Sequence, residues 1–229
     1  MDCLSCGQRV ERYADTPACR KCWEEARILT DNDLLCSRCG VYFGPRDTRD
    51  EVLCRKCDDH HYDEAFACGL YEKAIAAAVV GLKETPKIFP TLRREIRSAM
   101  QRPLASGADL IIPVPLSRQR MMERGFNQAD LIADVCSRAL SIPVDKASLM
   151  RTRDTARNRA NMDAKARAAS VEKAFAVVRP KLIEGKSILL VDDVLTSGAT
   201  ASNCAEALKK SGASSVTVFT LARAVLKDL

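Results

Sequence analysis

Residues 187–200 read Ser-Ile-Leu-Leu-Val-Asp-Asp-Val-Leu-Thr-Ser-Gly-Ala-Thr, and no other stretch limits the possible folds so sharply. Ile188 to Val191 is an apolar run without alternation. Such a run suits an inner strand of a parallel sheet, covered on both faces. Asp192 and Asp193 follow at its carboxyl end, the edge at which open α/β sheets bind ligands. Beyond a small-residue turn, Ala201 to Lys210 reads as a helix with Ala201, Cys204, Ala205 and Leu208 on one face. The N–H groups of Thr196, Ser197, Gly198, Ala199 and Thr200 are then placed to surround a phosphate, with the helix N-terminus and three hydroxyls assisting. Two carboxylates aimed at that anion would repel it. They serve better as acceptors for vicinal sugar hydroxyls, directly or around a divalent cation. The order of parts describes a sugar-phosphate site; the plainer alternative is an Asp-Asp turn before a helix with no ligand.

The flanking sequence supplies a sheet for this strand. Ala65 to Tyr71 reads as a strand, Glu72 to Lys83 as an alanine-rich helix, and Thr91 to Met100 as another helix after Pro86 and Pro90. Ala108 to Val114 is a core strand, Ala129 to Leu140 a helix, and Ser215 to Leu221 a final strand rich in β formers. This alternation predicts an α/β fold with a mainly parallel sheet and right-handed crossovers. A basic loop follows Val114 and reaches the same carboxyl edge as Asp192. Its Arg118, Arg120 and Arg124 are candidate ligands for a pyrophosphate, because guanidinium forks match phosphate oxygens and stay charged. Gly125 permits a close turn, and N–H groups near Asn127 add a helix start. Taken alone, three arginines in a loop also fit a solvated surface.

Ahead of this region stand four Cys-x-x-Cys pairs, Cys3/Cys6, Cys19/Cys22, Cys36/Cys39 and Cys54/Cys57, separated by 12, 13 and 14 residues. Each pair places two thiolates on one metal, and two pairs complete the tetrahedral sphere that Zn²⁺ accepts. Two structural zinc ions are expected. Sequential use gives one site from Cys3, Cys6, Cys19 and Cys22 and another from Cys36, Cys39, Cys54 and Cys57; an interleaved arrangement asks more of the connection from Trp23 to Asp33. In Cys36-Ser37-Arg38-Cys39-Gly40, backbone N–H groups can donate to the sulfurs and Gly40 relieves the turn. A disulfide framework would need an oxidising compartment, and Met1-Asp2-Cys3 leaves no room for a signal peptide. With no run of 18 apolar residues for a membrane span, the expectation is a cytoplasmic protein without membrane insertion. His60 and His61 are surplus to eight thiolates and read as surface residues. Cys68, Cys136 and Cys204 read as small buried side chains.

Charge divides the chain near residue 64. Residues 1–64 carry ten Lys/Arg against fourteen Asp/Glu, and residues 65–229 carry twenty-six against sixteen. An acidic cysteine-rich module has little electrostatic support for nucleic-acid binding and suits folding or docking better. The division predicts two units, a zinc-dependent module over 1–64 and an α/β domain over 65–229, with the metal sites distant from the phosphate turn.

The 188–200 stretch resembles the phosphoribosyl pyrophosphate (PRPP) motif of type I phosphoribosyltransferases at every position. Val114-Pro115-Leu116 followed by Arg124-Gly125-Phe126-Asn127-Gln128 resembles the signature of the ComF family, also called GntX. Its members join an N-terminal cysteine-rich module to a phosphoribosyltransferase domain and are associated with uptake and use of external DNA. The resemblance implies the type I phosphoribosyltransferase fold and a Mg²⁺-assisted transfer from PRPP. In that reading Asp192 and Asp193 hold the ribose hydroxyls, residues 196–200 cradle the 5′-phosphate, Arg124 acts with the carboxylates, and Arg118 and Arg120 assist in ligand binding. Leu82-Lys83 matches a family Leu-Lys, which implies that Lys83 faces the site. Arg151, Arg153, Thr155, Arg167 and Ala174-Phe175 resemble a loop-and-strand segment in which Asn158 and Ser170 depart from the family pattern. Residues 154–167 correspond to a flap over PRPP, or alternatively to a solvated basic surface meeting single-stranded DNA without the aromatics of a stacking groove. The resemblance also implies a DNA-uptake or helicase partner protein. It leaves open a non-catalytic adaptor that senses PRPP or a nucleotide.

Overall fold

The computed structural model describes residues 2–10, 16–46, 51–54, 60–152 and 174–225. At its centre is β7 (Ser187–Leu195), paired in parallel on one side with β4 (Leu110–Pro113) and on the other with β8 (Ser215–Arg223). β8 pairs in parallel with β3 (Glu64–Leu70), giving the order β3-β8-β7-β4. Val144 extends the β4 edge by a bridge to Ile111, and Ile28 touches the β3 edge by a bridge to Gly69. The unbroken apolar run therefore becomes the inner strand that its composition requires.

Each face of the sheet is covered. On one side Leu189, Val191, Phe219 and Leu221 pack with Ile75 and Leu82 of α2 (Lys73–Glu84), Leu92 and Ile96 of α3 (Pro90–Ala99), and Ile132 of α5 (Gln128–Leu140). On the other, Ile188, Leu190, Val216 and Val218 pack with Ala201, Cys204, Ala205 and Leu208 of α6 (Ala199–Lys210), the four residues expected on its inner face. Cys68, Cys136 and Cys204 are buried as expected. A short antiparallel pair, β5 (Leu149–Arg151) with β6 (Phe175–Val177), lies beside α6.

The cysteine-rich region contributes α1 (Arg20–Glu24) and the antiparallel pair β1 (Asp33–Leu35) and β2 (Tyr42–Pro45). It does not hang free of the sheet. Cys36, Cys39, Cys54 and Tyr62 belong to the same buried cluster as Ile188, Leu195 and Ala201. A Cβ on Gly40, at φ +66°, would meet the carbonyl oxygen of Ala65 at 2.7 Å, so this knuckle rests directly on the backbone of β3. The expectation that the second pair of Cys-x-x-Cys motifs lies far from the phosphate turn is replaced by a shared core.

One local expectation also changes. The basic stretch after β4 is not a loop but a helix, α4 (Arg118–Arg124). Ser117 caps it by accepting from the Arg120 amide at 3.2 Å, and Gly125 ends it at φ +76°. These are ordinary helix start and stop signals.

Candidate functional site for a sugar phosphate

β7 runs four residues beyond its apolar run, to Leu195, so Asp192 and Asp193 lie within the strand, opposite Thr220 and its neighbours in β8. Thr196 and Ser197 follow, and Gly198 caps α6 in the left-handed region at φ +80°. Thr196, Ser197, Ala199 and Thr200 are exposed while Gly198 is buried. The amides of Thr196, Ser197 and Gly198 donate to no acceptor among the described residues. Their loop's carbonyls are differently placed. Arg223, the last residue of β8, donates through Nη1 to the carbonyl of Leu195 at 2.8 Å and to that of Thr196. Acceptors are thus drawn to the buried side and amide donors are left over, the polarity an anion needs.

The two carboxylates are treated differently. Asp193 accepts from the Gln128 side-chain amide at 3.1 Å and pairs with Lys83 Nζ at 3.4 Å. Lys83 therefore faces the site, at the end of α2. Asp192 accepts its neighbour's amide at 2.8 Å. Burial, with the charge of Asp193 adding to it, raises the Asp192 carboxyl from 3.8 to about 8.

The 124–128 segment explains its own residue types. Gly125 turns the chain out of α4, and Asn127 caps α5, accepting from the Ala129 amide at 3.2 Å while donating to the Val114 carbonyl at 3.1 Å. That second bond ties α5 to the end of β4, which aims Gln128 at Asp193. Arg118 and Arg120 are exposed, and Arg124 is half-buried with Nη1 donating to nothing among the described residues. The arginines follow β4, whose end pairs with Val191, so they lie at the carboxyl edge of the sheet.

The cysteines gather in sequential pairs. Sulfurs of Cys3, Cys6, Cys19 and Cys22 lie within 4.8 Å of one another, as do those of Cys36, Cys39 and Cys54; Cys57 falls outside the described residues. Sγ separations of 3.8 Å for Cys3–Cys22, 3.6 Å for Cys6–Cys19 and 3.4 Å for Cys39–Cys54 suit a tetrahedral shell, for which Zn–S bonds imply about 3.8 Å. Amides point at the sulfurs: Ser5 and Cys19 donate to Cys3 at 3.4 and 3.2 Å, and Cys54 to Cys36 at 3.3 Å. Burial disfavours the Cys3 thiolate, but these amides outweigh it and bring the thiol down to about 6. The Cys39 thiol, against burial and together with nearby amides, lowers Cys36 to about 4. Both clusters are compatible with zinc.

Sequence reasoning missed three contributors. Gln128 stood within a quoted motif without a role. Arg223 is 3% exposed although it ends a strand near the chain terminus. His60, read as a surface residue, stacks on Tyr62 at 4.8 Å between ring centroids, and both rings lie where a side chain on Gly198 would project. Arg153, Thr155, Asn158, Arg167 and Ser170 lie outside the described residues, as does the expected flap.

Comparison with known proteins agrees with this architecture. Residues 131–226 match the model of the phosphoribosyl transferase domain family. The chain is 32% identical over 212 residues to DNA utilization protein YhgH of Shigella flexneri, covering 82% of this chain and 90% of that protein. It is 38% identical over 117 residues to Competence protein F of Haemophilus influenzae, covering 51% of each. Among solved structures, glutamine PRPP amidotransferase from B. subtilis, complexed with ADP and GMP, superposes with a TM-score of 0.40 at 23% identity, covering 56% of this chain and 25% of that one. The domain match and the parallel strand order give the type I phosphoribosyltransferase fold. No helix among the described residues is long and apolar enough to cross a membrane. Likeness to YhgH extends over most of both proteins, and on this ground the chain belongs to the ComF/GntX family.

Proposed function

We propose that the carboxyl edge of β7 binds PRPP and that the chain transfers its phosphoribosyl group to an acceptor in the use of external DNA. The observation that carries this reading is the set of unclaimed amides at Thr196, Ser197 and Gly198, backed by a buried guanidinium that holds the adjoining carbonyls. The 5′-phosphate sits on those amides and on the first turn of α6. Asp192 and Asp193 accept the ribose hydroxyls, with Gln128 and Lys83 fixing Asp193 before the ligand arrives. Lys83 and Arg124, with Arg118 and Arg120 further out, meet the pyrophosphate oxygens. Displacement at C1′ has oxocarbenium character and needs no covalent attack by a side chain; the protein's part is to hold the ribose and to stabilise charge on the departing phosphates.

The oxygens of Asp192 and Asp193 are hard donors, the type that Mg²⁺ takes alongside substrate phosphates. When bound, Mg²⁺ supplies further positive charge to the leaving group. The names of the relatives, DNA utilization protein and Competence protein F, support the DNA link. We further propose two zinc ions as structural elements, with Cys57 completing the second shell.

Calorimetric titration with Mg²⁺ and PRPP tests the site. The double substitution Asp192→Asn with Asp193→Asn removes both acidic oxygen donors, of which the charged acceptor at Asp193 alone is worth roughly 1.5–3 kcal/mol, and affinity should fall by at least tenfold. Equal binding by parent and double variant rules the assignment out. Tight binding with no pyrophosphate release, across a screen of bases, amines and nucleic-acid ends, replaces transfer by a sensing or adaptor role.

A further inference from the structure

The buried guanidinium of Arg223 touches two places at once. Nη1 holds the carbonyls of Leu195 and Thr196, where the phosphate loop begins. Nε donates to the carbonyl of Cys39 at 3.1 Å, and Nη2 lies 3.8 Å from the Cys39 sulfur. Arg223 is 3% exposed, Cys39 is 2% exposed, and Arg223 has no carboxylate partner among the described residues. A buried cation needs compensation nearby. Here it can come from the thiolate shell of the second cysteine cluster, which keeps excess negative charge around a divalent ion, and from an anion on the loop.

A second connection runs in parallel with the first. Arg38, between the two cysteines of the same knuckle, donates to the backbone carbonyl of His60 at 2.5 Å. The His60 and Tyr62 rings back onto Gly198, and the His61 amide donates to Ser202 in the first turn of α6 at 3.0 Å. Both ends of the phosphate loop are therefore held by groups whose positions depend on the Cys36–Cys39 knuckle. Among the described residues the first cluster makes no hydrogen-bonded connection to the loop: Cys3 and Cys22 pack instead with Ala74 and Ala77 of α2.

We infer that the second cysteine cluster and the phosphate loop form one coupled unit, with Arg223 as the positioning residue, so that metal at the cluster and a sugar phosphate on the loop strengthen each other's binding. This rests on the sugar-phosphate reading above and adds a regulation to it. Linkage requires the effect to be reciprocal, and intramolecular couplings of this kind commonly span about 5–150-fold. The neutral carbonyls that Arg223 orients cannot adjust alone, because Leu195 also accepts the Ala224 amide at 2.9 Å.

The test uses the zinc-loaded full chain, with ribose 5-phosphate as probe and a colorimetric chelator to follow zinc release. The phase belonging to the second cluster is the one retained in Cys6→Ser, which breaks the first. Saturating ribose 5-phosphate should slow that phase by about tenfold and leave the first-cluster phase unchanged. Conversely, selective loss of second-site zinc should weaken ribose 5-phosphate binding by a similar factor. Arg223→Lys keeps a charge but loses the fork, and should bring the ligand effect on zinc release below twofold. If that variant does not fold, Arg38→Gln is expected to halve the effect or more, and the parent measurement decides independently. Parent protein that binds ribose 5-phosphate by calorimetry but releases second-site zinc at an unchanged rate overturns the coupling alone. Parent protein that does not bind ribose 5-phosphate overturns both the coupling and the sugar-phosphate reading.

Discussion

Replacing Gly198 by alanine probes the phosphate loop with one carbon atom. The new Cβ would lie 2.7 Å from the Tyr62 hydroxyl, 2.8 Å from His60 Cε1 and 2.9 Å from His60 Nε2. Tyr62 is fully buried and cannot step aside freely. The backbone adds its own cost, since φ is +80° and an L-residue in the left-handed region loses about 1–2 kcal/mol. Forcing an extra methyl group into packed surroundings costs about 1–3 kcal/mol. The two together give about 2–5 kcal/mol, a large share of the roughly 5–15 kcal/mol that stabilises a domain. Urea unfolding of the zinc-loaded protein reads this as a lower midpoint at unchanged slope. Tyr62→Phe removes the nearest atom, so in that background Gly198→Ala should recover about 1 kcal/mol of the steric part and keep the backbone part. An unchanged midpoint for Gly198→Ala would refute the geometry of the loop, and strict additivity of the two substitutions would refute the contact.

Two further outcomes follow from the charges and the cysteines. Because burial and Asp193 raise the Asp192 carboxyl to about 8, the folded state binds this proton more tightly than the unfolded chain does. Its contribution is complete below about pH 4 and is lost as pH rises through 8, by up to about 1.4 kcal/mol per pH unit; melts from pH 5 to 8 should fall more steeply for the parent than for Asp192→Asn, and parallel curves would contradict this. Serine at Cys39, which is 2% exposed in the core beside Leu195, should cost about 1–3 kcal/mol more than serine at exposed Cys6, as read from thermal melts in saturating zinc.

Local chemistry made parts of this molecule legible in its sequence. An apolar run of four can be buried on both faces only as an inner strand, and the spacing within each Cys-x-x-Cys pair already limits where two sulfurs can go. Helix α4 was also within reach, because Ser117 and Gly125 bracket it as cap and stop, but its density of arginines suggested a solvated loop. Long-range contacts had no such signal. Arg223 and Cys39 are 184 residues apart, and nothing near either names the other. Gln128 reaches Asp193 only because Asn127 ties α5 to the end of β4, a bond that joins separate elements. A change of charge and composition near residue 64 suggested independence, whereas Gly40 against Ala65 makes the knuckle part of the sheet's packing.

The order of strands has a consequence during synthesis. β3 leaves the ribosome about 150 residues before β8, the strand that completes its ladder, a wait of roughly 7–30 s at ordinary elongation rates. Throughout that interval Phe66, Cys68 and Leu70 would offer an apolar, unpaired edge to other nascent chains. The far side of β3 need not wait: the Leu29 amide donates to Cys68 at 2.8 Å and the Leu70 amide to Arg27 at 2.9 Å, both from chain already made. The cysteine-rich region therefore covers one edge of the first strand of the sheet from the start, and only the edge that the last strand claims is left open.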